Sequence, residues 1–246
     1  MLALALSRKG GKLLLADRAA DQLEALGAEI SAAGGQAKIV QADLLAAEGP
    51  ARLAETARQD GVDILVNLAG VMSFRLFQEE SAESIERLFR VNAIAPMLLV
   101  NALLPHMLER GSGHIVNVGS VYGSIAFPCF ASYSASKFAV RGFSEALRRE
   151  LEGTGIGVTY VGPRYVRTPI NAGAVSRMSE ALKVNMDDPD VVAANIVSAL
   201  EQGKAEHYVG FPESLFVRIN AVLPGIVDGS IRKQTPEIRE YAAGRK

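Results

Sequence analysis

Short apolar strands alternate with helical patterns along most of this 246-residue chain. Each predicted strand is followed closely by a segment whose apolar residues recur at helical spacing. The segment 62–68 is almost continuously apolar, which is typical of a parallel strand covered by helices on both faces. Because strands and helices that alternate in this way form right-handed βαβ units, we predict one doubly wound α/β sheet with helices on both faces.

The predicted elements follow one another without a linker, an internal repeat or a low-complexity segment. The tail of a helix at 1–9 ends at Gly10 and Gly11, which are typical of a helix C-terminus. The predicted strands lie at 12–16, 37–42, 62–68, 113–119, 157–161 and 205–210. The predicted helices lie at 20–33, 47–59, 81–110 (interrupted near Asn92, Pro96 and Pro105), 133–152 and 189–202. The segment 164–186 shows no clear periodicity, and we expect a mobile flap there.

Composition excludes several classes of protein. A net charge of −1 leaves no basic surface for nucleic acid. The single cysteine, Cys129, excludes an intrachain disulfide and fits a reducing, cytoplasmic location. The histidines His106, His114 and His207 share no ligand spacing, so no metal site is expected. Since no run of 18 apolar residues occurs, no membrane-spanning helix is expected either.

Tyr133 and Lys137 lie one helical turn apart on the same face of the predicted helix 133–152. A lysine charge about 5 Å from a phenol favours the phenolate by roughly 3 kcal/mol at an effective dielectric of about 20, or about 2 pKa units. We therefore expect Lys137 to lower the pKa of Tyr133 into the range of general acid–base catalysis. Such a pair also arises by chance, so its surroundings decide what it means.

Ser120 directly follows the predicted strand 113–119, and the carboxyl end of a strand is where an α/β site is expected. Ser120, Tyr133 and Lys137 at this spacing, together with Asn92, resemble the catalytic tetrad of the short-chain dehydrogenase/reductase family. The resemblance extends from the first helix to about residue 211. It implies a Rossmann-like fold and hydride transfer between a nicotinamide cofactor and a carbonyl compound or alcohol.

The resemblance also implies a role for each member of the tetrad. Tyr133 exchanges a proton with the substrate oxygen. Lys137 lowers the pKa of Tyr133 and holds the nicotinamide ribose. Ser120 forms a hydrogen bond with the substrate oxygen, and Asn92 positions a water that links Lys137 to solvent.

Two strand ends resemble the family's contacts with adenosine. Asp17 occupies the position of the ribose-binding acid and favours NAD, because a carboxylate repels the 2′-phosphate of NADP. Arg18 favours NADP instead, so we expect NAD with NADP as the alternative. Asp43 and Leu44 resemble the family's contacts with the edge of the adenine.

Two further segments resemble parts of the cofactor site, each with one departure from the family. In Asn67-Leu68-Ala69-Gly70, Leu68 replaces an amide that usually ties neighbouring strands together. Ala69 and Gly70 still let the cofactor approach the backbone. In the loop that begins at Pro163, the expected nicotinamide contacts are Pro163, Val166 and Thr168. Arg164 stands where the family usually has glycine. Because glycine permits φ values that arginine does not, the turn geometry of this loop is in doubt.

The Gly-rich phosphate loop has no counterpart in this sequence. That loop normally lies between the first strand and the first helix, about 20 residues before the ribose acid. Counting back about 20 residues from Asp17 passes the start of the chain. We therefore expect that the first strand is missing, that two strand edges in the middle of the protein lack partners, and that the native polypeptide begins roughly 15–25 residues earlier.

Apolar side chains are expected to line the substrate pocket and to favour a hydrophobic alcohol or ketone. They are Met72, Phe74, Tyr122, Phe127, Phe130, Ile170 and Met178. We divide the chain into a cofactor-binding and catalytic domain at 1–211 and an apolar extension at 212–246. The run 215–224 is expected to pack on the domain or on a partner subunit of a homo-oligomer rather than on a membrane surface. The charged tail from Arg232 is expected to be frayed.

Two alternatives to the oxidoreductase remain open. A catalytically silent regulator or scaffold would explain the missing phosphate loop together with Leu68 and Arg164, although it has no need of a complete tetrad. A sugar-nucleotide epimerase is less favoured, because no additional substrate domain follows the predicted sheet.

Overall fold

The computed structural model describes residues 1–246, and its helices flank two main parallel sheets, beside which β6 and β7 form a short third one. The strands are β1 (Lys12–Asp17), β2 (Gln36–Gln41), β3 (Ile64–Asn67), β4 (Gly113–Val118), β5 (Ile156–Pro163), β6 (Tyr165–Val166), β7 (Met186–Asp187) and β8 (Glu206–Val209). The helices are α1 (Leu2–Arg8), α2 (Ala20–Ala32), α3 (Gly49–Gln59), α4 (Ala82–Phe89), α5 (Ala95–Arg110), α6 (Ala131–Glu150), α7 (Ala174–Ala181), α8 (Pro189–Glu201), α9 (Glu213–Val222) and α10 (Pro224–Ala242). The predicted strand and helix alternation is confirmed, with element ends displaced by a few residues.

The larger sheet has the strand order β3-β4-β5-β8, with every pair parallel. Successive residues of β4 point to opposite faces of this sheet. Val116 packs in a cluster that includes residues of α1 and α8, whereas Ile115 packs in a cluster with residues of α5 and α6. The sheet is therefore covered on both faces, as the continuous apolar pattern predicted.

The strands β1 and β2 form a separate two-stranded parallel sheet. No hydrogen bond joins β1 to β3, and a cavity of about 1150 Å³ is lined by residues of both strands. We call this cavity the slot. The two partnerless strand edges that were expected in the middle of the protein are the edges of β1 and β3 that face the slot.

The helices α4 and α5 are joined by a π-helical turn at Arg90–Ile94, so 82–110 is one continuous helix. The interruption that was predicted near Asn92 is therefore a π turn and not a break. This helix is long and apolar enough to cross a membrane, with a mean hydropathy of 1.5 in its best window, contrary to the prediction. Half of that window is buried inside the protein, and the helix packs against α3 and α6, as a core helix does.

The C-terminal region is ordered, so the predicted frayed tail from Arg232 is wrong. Pro224 does not break a helix but occupies the first turn of α10, where proline is tolerated. Val227, Ile231 and Ile238 lie at helical spacing, and Ile238 is completely buried. The helices α9 and α10 pack on the rest of the fold, and the division at residue 211 stays a prediction.

The segment 164–186 contains regular structure that the sequence pattern did not predict. It includes β6, which pairs with β7, and the helix α7. The pairing of two-residue strands is too short to produce a readable periodicity. The mobility of this flap stays a prediction.

Candidate active site

A second cavity, of about 730 Å³, lies at the carboxyl ends of β4 and β5. We call it the active-site cavity. Ser120, Tyr133 and Lys137 line it together with Thr168, so the structure brings these sequence-distant residues to one place. Asn92 does not line this cavity and lies behind it, 2 % exposed.

Ser120 follows β4 and is held by a residue that the sequence analysis missed. The Tyr160 hydroxyl donates a hydrogen bond to the Ser120 carbonyl oxygen at 2.9 Å and accepts one from the Ser120 N–H at 3.2 Å. Gly119 is required beside this contact, because an added Cβ would collide with the Tyr160 ring. Tyr160 lies in the middle of an apolar strand, where nothing in the sequence distinguishes it from a core aromatic.

Tyr133 lies in the first turn of α6 and contributes its ring to an aromatic cluster. The Tyr122 ring meets it edge-on with centroids 6.3 Å apart. Burial raises the pKa of Tyr133 to about 12, and interaction with the Ser120 hydroxyl opposes this rise. The predicted lowering of the Tyr133 pKa by Lys137 is therefore wrong for this state of the protein, because desolvation of the phenolate outweighs the attraction of the ammonium group.

Lys137 is buried one turn further along α6, with 4 % of its surface exposed. Its Nζ donates to the Val118 carbonyl oxygen at 3.3 Å and lies 5.8 Å from the centroid of the Tyr133 ring. Burial lowers the pKa of Lys137 to about 8. The two groups are thus on the same side of α6, as predicted, and each is pushed towards its neutral form.

Asn92 fastens the loop after β3 to α6. Its Oδ1 accepts from the Val71 N–H at 2.8 Å, and its Nδ2 donates to the Val71 carbonyl oxygen and the Ser136 Oγ, both at 2.9 Å. The π turn places this side chain inward, where such turns often serve a site. The amide is thus engaged with the protein itself, and the role of Asn92 in positioning a water for Lys137 stays a prediction.

The loop after β3 is tied to the sheet without the amide that Leu68 replaces. Asn67 Nδ2 donates to Asn117 Oδ1 at 2.9 Å, and Asn117 Nδ2 donates to Ser144 Oγ at 2.9 Å. This buried chain joins β3, β4 and α6. The departure at Leu68 therefore leaves the strands connected, and Leu68 itself is half exposed.

Gly70 lies between Asn92 and Lys137. An added Cβ at Gly70 would stand 3.4 Å from Asn92 Oδ1 and 3.5 Å from Lys137 Nζ. Leu68 and Gly70 line both the slot and the active-site cavity, whereas Ala69 lines the slot only. The loop 68–70 is therefore the place where the two cavities adjoin.

Arg164 does not disturb its loop, contrary to the expectation that glycine is needed there. Its backbone is not in the left-handed region, so the position has no special need for glycine. Its guanidinium group forms two hydrogen bonds with Asp187, at 2.9 and 2.7 Å, and one with Glu213 at 2.8 Å. Arg164 therefore ties the start of the flap to β7 and to α9.

The loop residues predicted to contact nicotinamide, Pro163, Val166 and Thr168, all line the active-site cavity. The predicted apolar wall is confirmed except for Phe74, which stacks behind Phe130 with centroids 4.6 Å apart. The sequence pattern did not predict the contribution of the C-terminal helices. They add Phe216, Ile226, Val227, Ser230, Ile231 and Gln234 to the lining.

The predicted adenosine contacts lie at the other cavity. Asp17, Arg18, Asp43 and Leu44 all line the slot. Asp17 Oδ1 accepts from the Ala19 N–H at 3.0 Å, and Asp43 Oδ1 accepts from the Leu45 N–H at 2.9 Å. One oxygen of each carboxylate thus shapes its own turn and leaves the other available for a ligand.

These residues fit a nicotinamide dinucleotide. The Lys137 ammonium group has three donors and a single protein acceptor, the Val118 carbonyl oxygen, so it retains donors for ribose hydroxyls. Gly70 leaves the space beside this group open. The carboxylates at the ends of β1 and β2 supply acceptors for the adenosine half at the far side of the loop 68–70.

Comparison with known proteins agrees with this geometry. The sequence pattern of the short chain dehydrogenase family matches residues 1–179. Dehydrogenase/reductase SDR family member 7B of Bos taurus is 31% identical over 233 residues, which cover 88% of this chain and 71% of that protein. Glycine betaine reductase ATRR of Emericella nidulans is 35% identical over 208 residues, or 82% of this chain, but this chain spans only 16% of it.

A solved structure resembles the whole fold. The short-chain dehydrogenase from Sphingobium yanoikuyae in complex with NADPH has a TM-score of 0.81 and 27% identity. The match covers 92% of this chain and 89% of that one. The two sheets described above therefore correspond to one doubly wound, parallel sheet.

Proposed function

The chain belongs to the short-chain dehydrogenase/reductase family of nicotinamide-dependent oxidoreductases, and from that we propose that it interconverts a hydrophobic ketone and its alcohol with Tyr133 as general acid and base. One observation carries the proposal. The hydroxyls of Ser120 and Tyr133 and the ammonium group of Lys137 lie together in a cavity whose lining is mostly apolar. An apolar substrate would therefore be held with its single oxygen at these groups.

Each group of the chain has a definite task in this reaction. Lys137, Pro163, Val166 and Thr168 would hold a nicotinamide here, whose chemistry when bound would be to give a hydride to, or take one from, the carbon that carries the substrate oxygen. In the reductive direction, Tyr133 Oη gives its proton to that oxygen as the carbon–oxygen double bond becomes a single bond. The Ser120 hydroxyl donates a hydrogen bond to the same oxygen and stabilises its developing charge. The Lys137 ammonium group stabilises the phenolate that Tyr133 becomes.

The protonation of the site suits carbonyl reduction at neutral pH. Because burial raises the pKa of Tyr133 to about 12, its phenol carries the proton that reduction consumes. Burial also lowers the pKa of Lys137 to about 8, so most of this group is charged at pH 7. We propose reduction as the direction for which the free protein is already correctly protonated.

The preferred cofactor is proposed to depend on the end of β1. Asp17 supports NAD, because its carboxylate at the ribose position repels a 2′-phosphate. Arg18 supports NADP, as does the NADPH in the related Sphingobium structure. We retain NAD as the expected cofactor. In this proposal, Asp17→Ala lowers the preference for NAD over NADP, and Arg18→Ala raises it.

The proposal is tested by reduction of an aryl ketone such as acetophenone with NADH or NADPH. Tyr133→Phe should lower kcat about 10²- to 10⁴-fold, equivalent to roughly 3–5 kcal/mol in the barrier. Tyr122→Phe is the matched control, because it removes a phenol from the same cavity without touching the proton donor. Retention of most turnover by Tyr133→Phe would contradict the mechanism.

A catalytically silent regulator or scaffold is the second candidate. It is favoured by the slot, which stands where the family's sheet is continuous. Titration of the full chain with NADH and NADPH separates the two candidates. Absence of binding to either cofactor, with the chain folded, would favour the silent protein.

Three further properties are proposed with their tests. The lone Cys129 supports a reducing, cytoplasmic location, which fractionation of the producing cell would test. A homo-oligomer is proposed, which light scattering would test. That the native polypeptide begins about 15–25 residues upstream also stays a prediction, and an intact mass of 26.2 kDa for the natively produced protein would contradict it.

A further inference from the structure

Ser179 on α7 carries a hydroxyl group that pairs with no other atom of the protein. Its Oγ is shielded from solvent and has no hydrogen-bond partner, and the residue is 1% exposed. Most buried side-chain hydroxyls have a partner, because an unpaired one loses its hydrogen bonds to water without replacement. Ser144 is similarly buried and follows this rule, since it donates to the Val140 carbonyl oxygen and accepts from Asn117 Nδ2. The exception at Ser179 therefore needs a physical reason.

The position of Ser179 on α7 places it in the wall of the active-site cavity. Val175 lies one helical turn before Ser179 on the same face, and both residues are buried together with Met178. Val175 and Met178 pack in a cluster with Phe130, whose ring centroid lies 6.3 Å from that of Tyr133. All of these residues line the cavity. The unpaired hydroxyl therefore belongs to the same chamber as the proton donor.

The other polar side chains that the flap contributes to this cavity already have partners. They are Arg164, Tyr165, Thr168 and Asn171. Each donates a side-chain hydrogen bond of 2.7–3.3 Å to a carboxylate or to a backbone oxygen of the protein. Their hydrogen-bonding capacity is used to hold the flap in shape. Ser179 differs from them, because its donor and its acceptor sites are both unused.

We propose that Ser179 is a specificity-determining residue that binds a second oxygen of the substrate. The inference rests on the proposed function and defines its substrate class as mainly apolar ketones that carry one further hydroxyl, carbonyl or ether oxygen. Ser179 Oγ donates to any of these oxygens and also accepts from a hydroxyl. The ketone oxygen lies at Ser120 and Tyr133, and the apolar lining contacts the carbon frame between the two oxygens.

A substrate oxygen suits Ser179 better than a trapped water or an apolar group. A water molecule held in a cavity needs two to four polar partners, and the side chains of Val175 and Met178 supply none. A wholly apolar ketone would cover the hydroxyl and leave it unpaired. A ketone with a second oxygen removes this penalty, so the site should select it over its unsubstituted analogue.

Reduction of acetophenone and of its meta- and para-hydroxy derivatives tests the inference. The quantity compared is the kcat/KM of each hydroxylated ketone divided by that of acetophenone, in the wild type and in Ser179→Ala. Because the electronic effect of the substituent is the same in both proteins, it cancels in this comparison. For at least one isomer the ratio should be about tenfold higher in the wild type. The difference should appear mainly in KM, since this contact is the same in the ground state and the transition state.

Ser176→Ala is the matched control for these kinetics. Ser176 lies on the same helix, does not line the cavity and donates to Glu180. This variant should keep the ratios of the wild type. Equal ratios in the wild type and Ser179→Ala for both isomers would overturn the proposal.

Ligand binding gives a readout that needs no hydride transfer. At equal concentration, one of the hydroxylated ketones should raise the thermal unfolding midpoint of the wild type more than acetophenone does, and this difference should vanish in Ser179→Ala. If no ketone is reduced but the difference in binding persists, the proposed function fails and the Ser179 contact stands. If all three ketones are reduced with the same ratios in both proteins, the proposed function stands and the Ser179 contact fails.

The stability of the free variants tests whether the hydroxyl is truly unpaired. Ser179→Ala should leave the thermal unfolding midpoint unchanged or raise it, because it removes a hydroxyl without a partner. Ser144→Ala should lower the midpoint, because it breaks two buried hydrogen bonds. Equal losses in the two variants would show that Ser179 has a partner within the protein, and the proposal would then be overturned.

Discussion

The hydroxyl of Tyr160 contacts both backbone polar groups of Ser120, with hydrogen bonds of 2.9 and 3.2 Å. A residue on the central strand β5 therefore sets the position of a group at the end of β4. Burial raises the pKa of Tyr160, so its hydroxyl stays protonated and remains a donor. Tyr160 thus positions Ser120, and under the proposed function it would act on the substrate through that residue.

Tyr160→Phe should lower kcat for ketone reduction by about tenfold while KM changes little. The physical reason is that the Ser120 N–H loses its partner while the carbonyl oxygen keeps only the Gly123 N–H, so the Ser120 hydroxyl loses its fixed direction. Unfolding should also become easier by about 1–3 kcal/mol, since the Ser120 N–H is left without a partner. Steady-state kinetics and urea denaturation measure the two effects. Tyr208→Phe, which removes the hydroxyl of the ring packed against Tyr160, is the control and should leave kcat close to that of the wild type.

Lys137→Met should stabilise the free protein while abolishing activity. Burial lowers the pKa of Lys137 to about 8, so the folded protein bears a desolvation cost at neutral pH. The unfolded chain binds this proton more tightly. The free energy of unfolding of the wild type should therefore rise with pH between about 8 and 10, where only the folded state releases the proton.

Urea denaturation at pH 7 and pH 9.5 checks this prediction. Lys137→Met should be more stable than the wild type by about 1–3 kcal/mol at pH 7, and the difference should shrink at pH 9.5. A variant that is less stable than the wild type at pH 7 would contradict the desolvation cost.

The kcat/KM for reduction should fall as pH rises above about 8. Below this pH, Lys137 is charged and stabilises the phenolate that proton transfer leaves on Tyr133. Above it, the charge is lost before Tyr133 itself titrates, because burial raises the pKa of Tyr133 to about 12. A pH profile measures the midpoint. Ser120→Ala should lower the whole profile without moving its midpoint, whereas a flat profile to pH 10 would show that Lys137 does not supply this charge.

Arg164→Ala should destabilise the protein by roughly 3 kcal/mol. It leaves Asp187 and Glu213, both mostly buried, without their cation. Arg167→Ala is the matched control, because the ion pair between Arg167 and Asp188 is exposed and worth at most about 1 kcal/mol. Thermal unfolding of the two variants gives the comparison. Equal losses of stability would mean that the Arg164 network does not hold the flap.

Ile231→Trp should select against bulky ketones. Ile231 lines the active-site cavity from α10, so a larger side chain reduces the room for the substrate. We expect kcat/KM for benzophenone to fall by about tenfold or more relative to that for butanone. Val222→Trp is the control, since Val222 is 77% exposed and does not line the cavity. The ratio of the two kcat/KM values measures the effect independently of folded fraction.

Local spacing and the family resemblance were enough to predict that Ser120, Tyr133 and Lys137 lie together, because Tyr133 and Lys137 share one helix and Ser120 follows a recognisable strand. They could not find Tyr160 or Asn117, whose partners lie 40 and 27 residues away in sequence and meet them only in the folded sheet. The direction of the Tyr133 pKa shift also escaped prediction. The direction depends on how deeply the phenol is buried, and the spacing of residues in the sequence does not give this burial.

The C-terminal helices illustrate a different limit. The helical spacing of Val227, Ile231 and Ile238 was present in the sequence, but the charges between them suggested a solvated tail. Those charges occupy the outer side of an amphipathic helix, whose inner side closes the active-site cavity.

Because α10 lies at the end of the chain, evolution can change the cavity lining separately from Ser120, Tyr133 and Lys137. The middle of the chain supplies Ser120, Tyr133 and Lys137. In contrast, residues beyond 211 supply part of the lining of the active-site cavity. Replacement of this final segment alone would alter the shape of the cavity and leave Ser120, Tyr133 and Lys137 in place. Sequence changes confined to α9 and α10 are therefore expected to shift the substrate range of proteins with this fold.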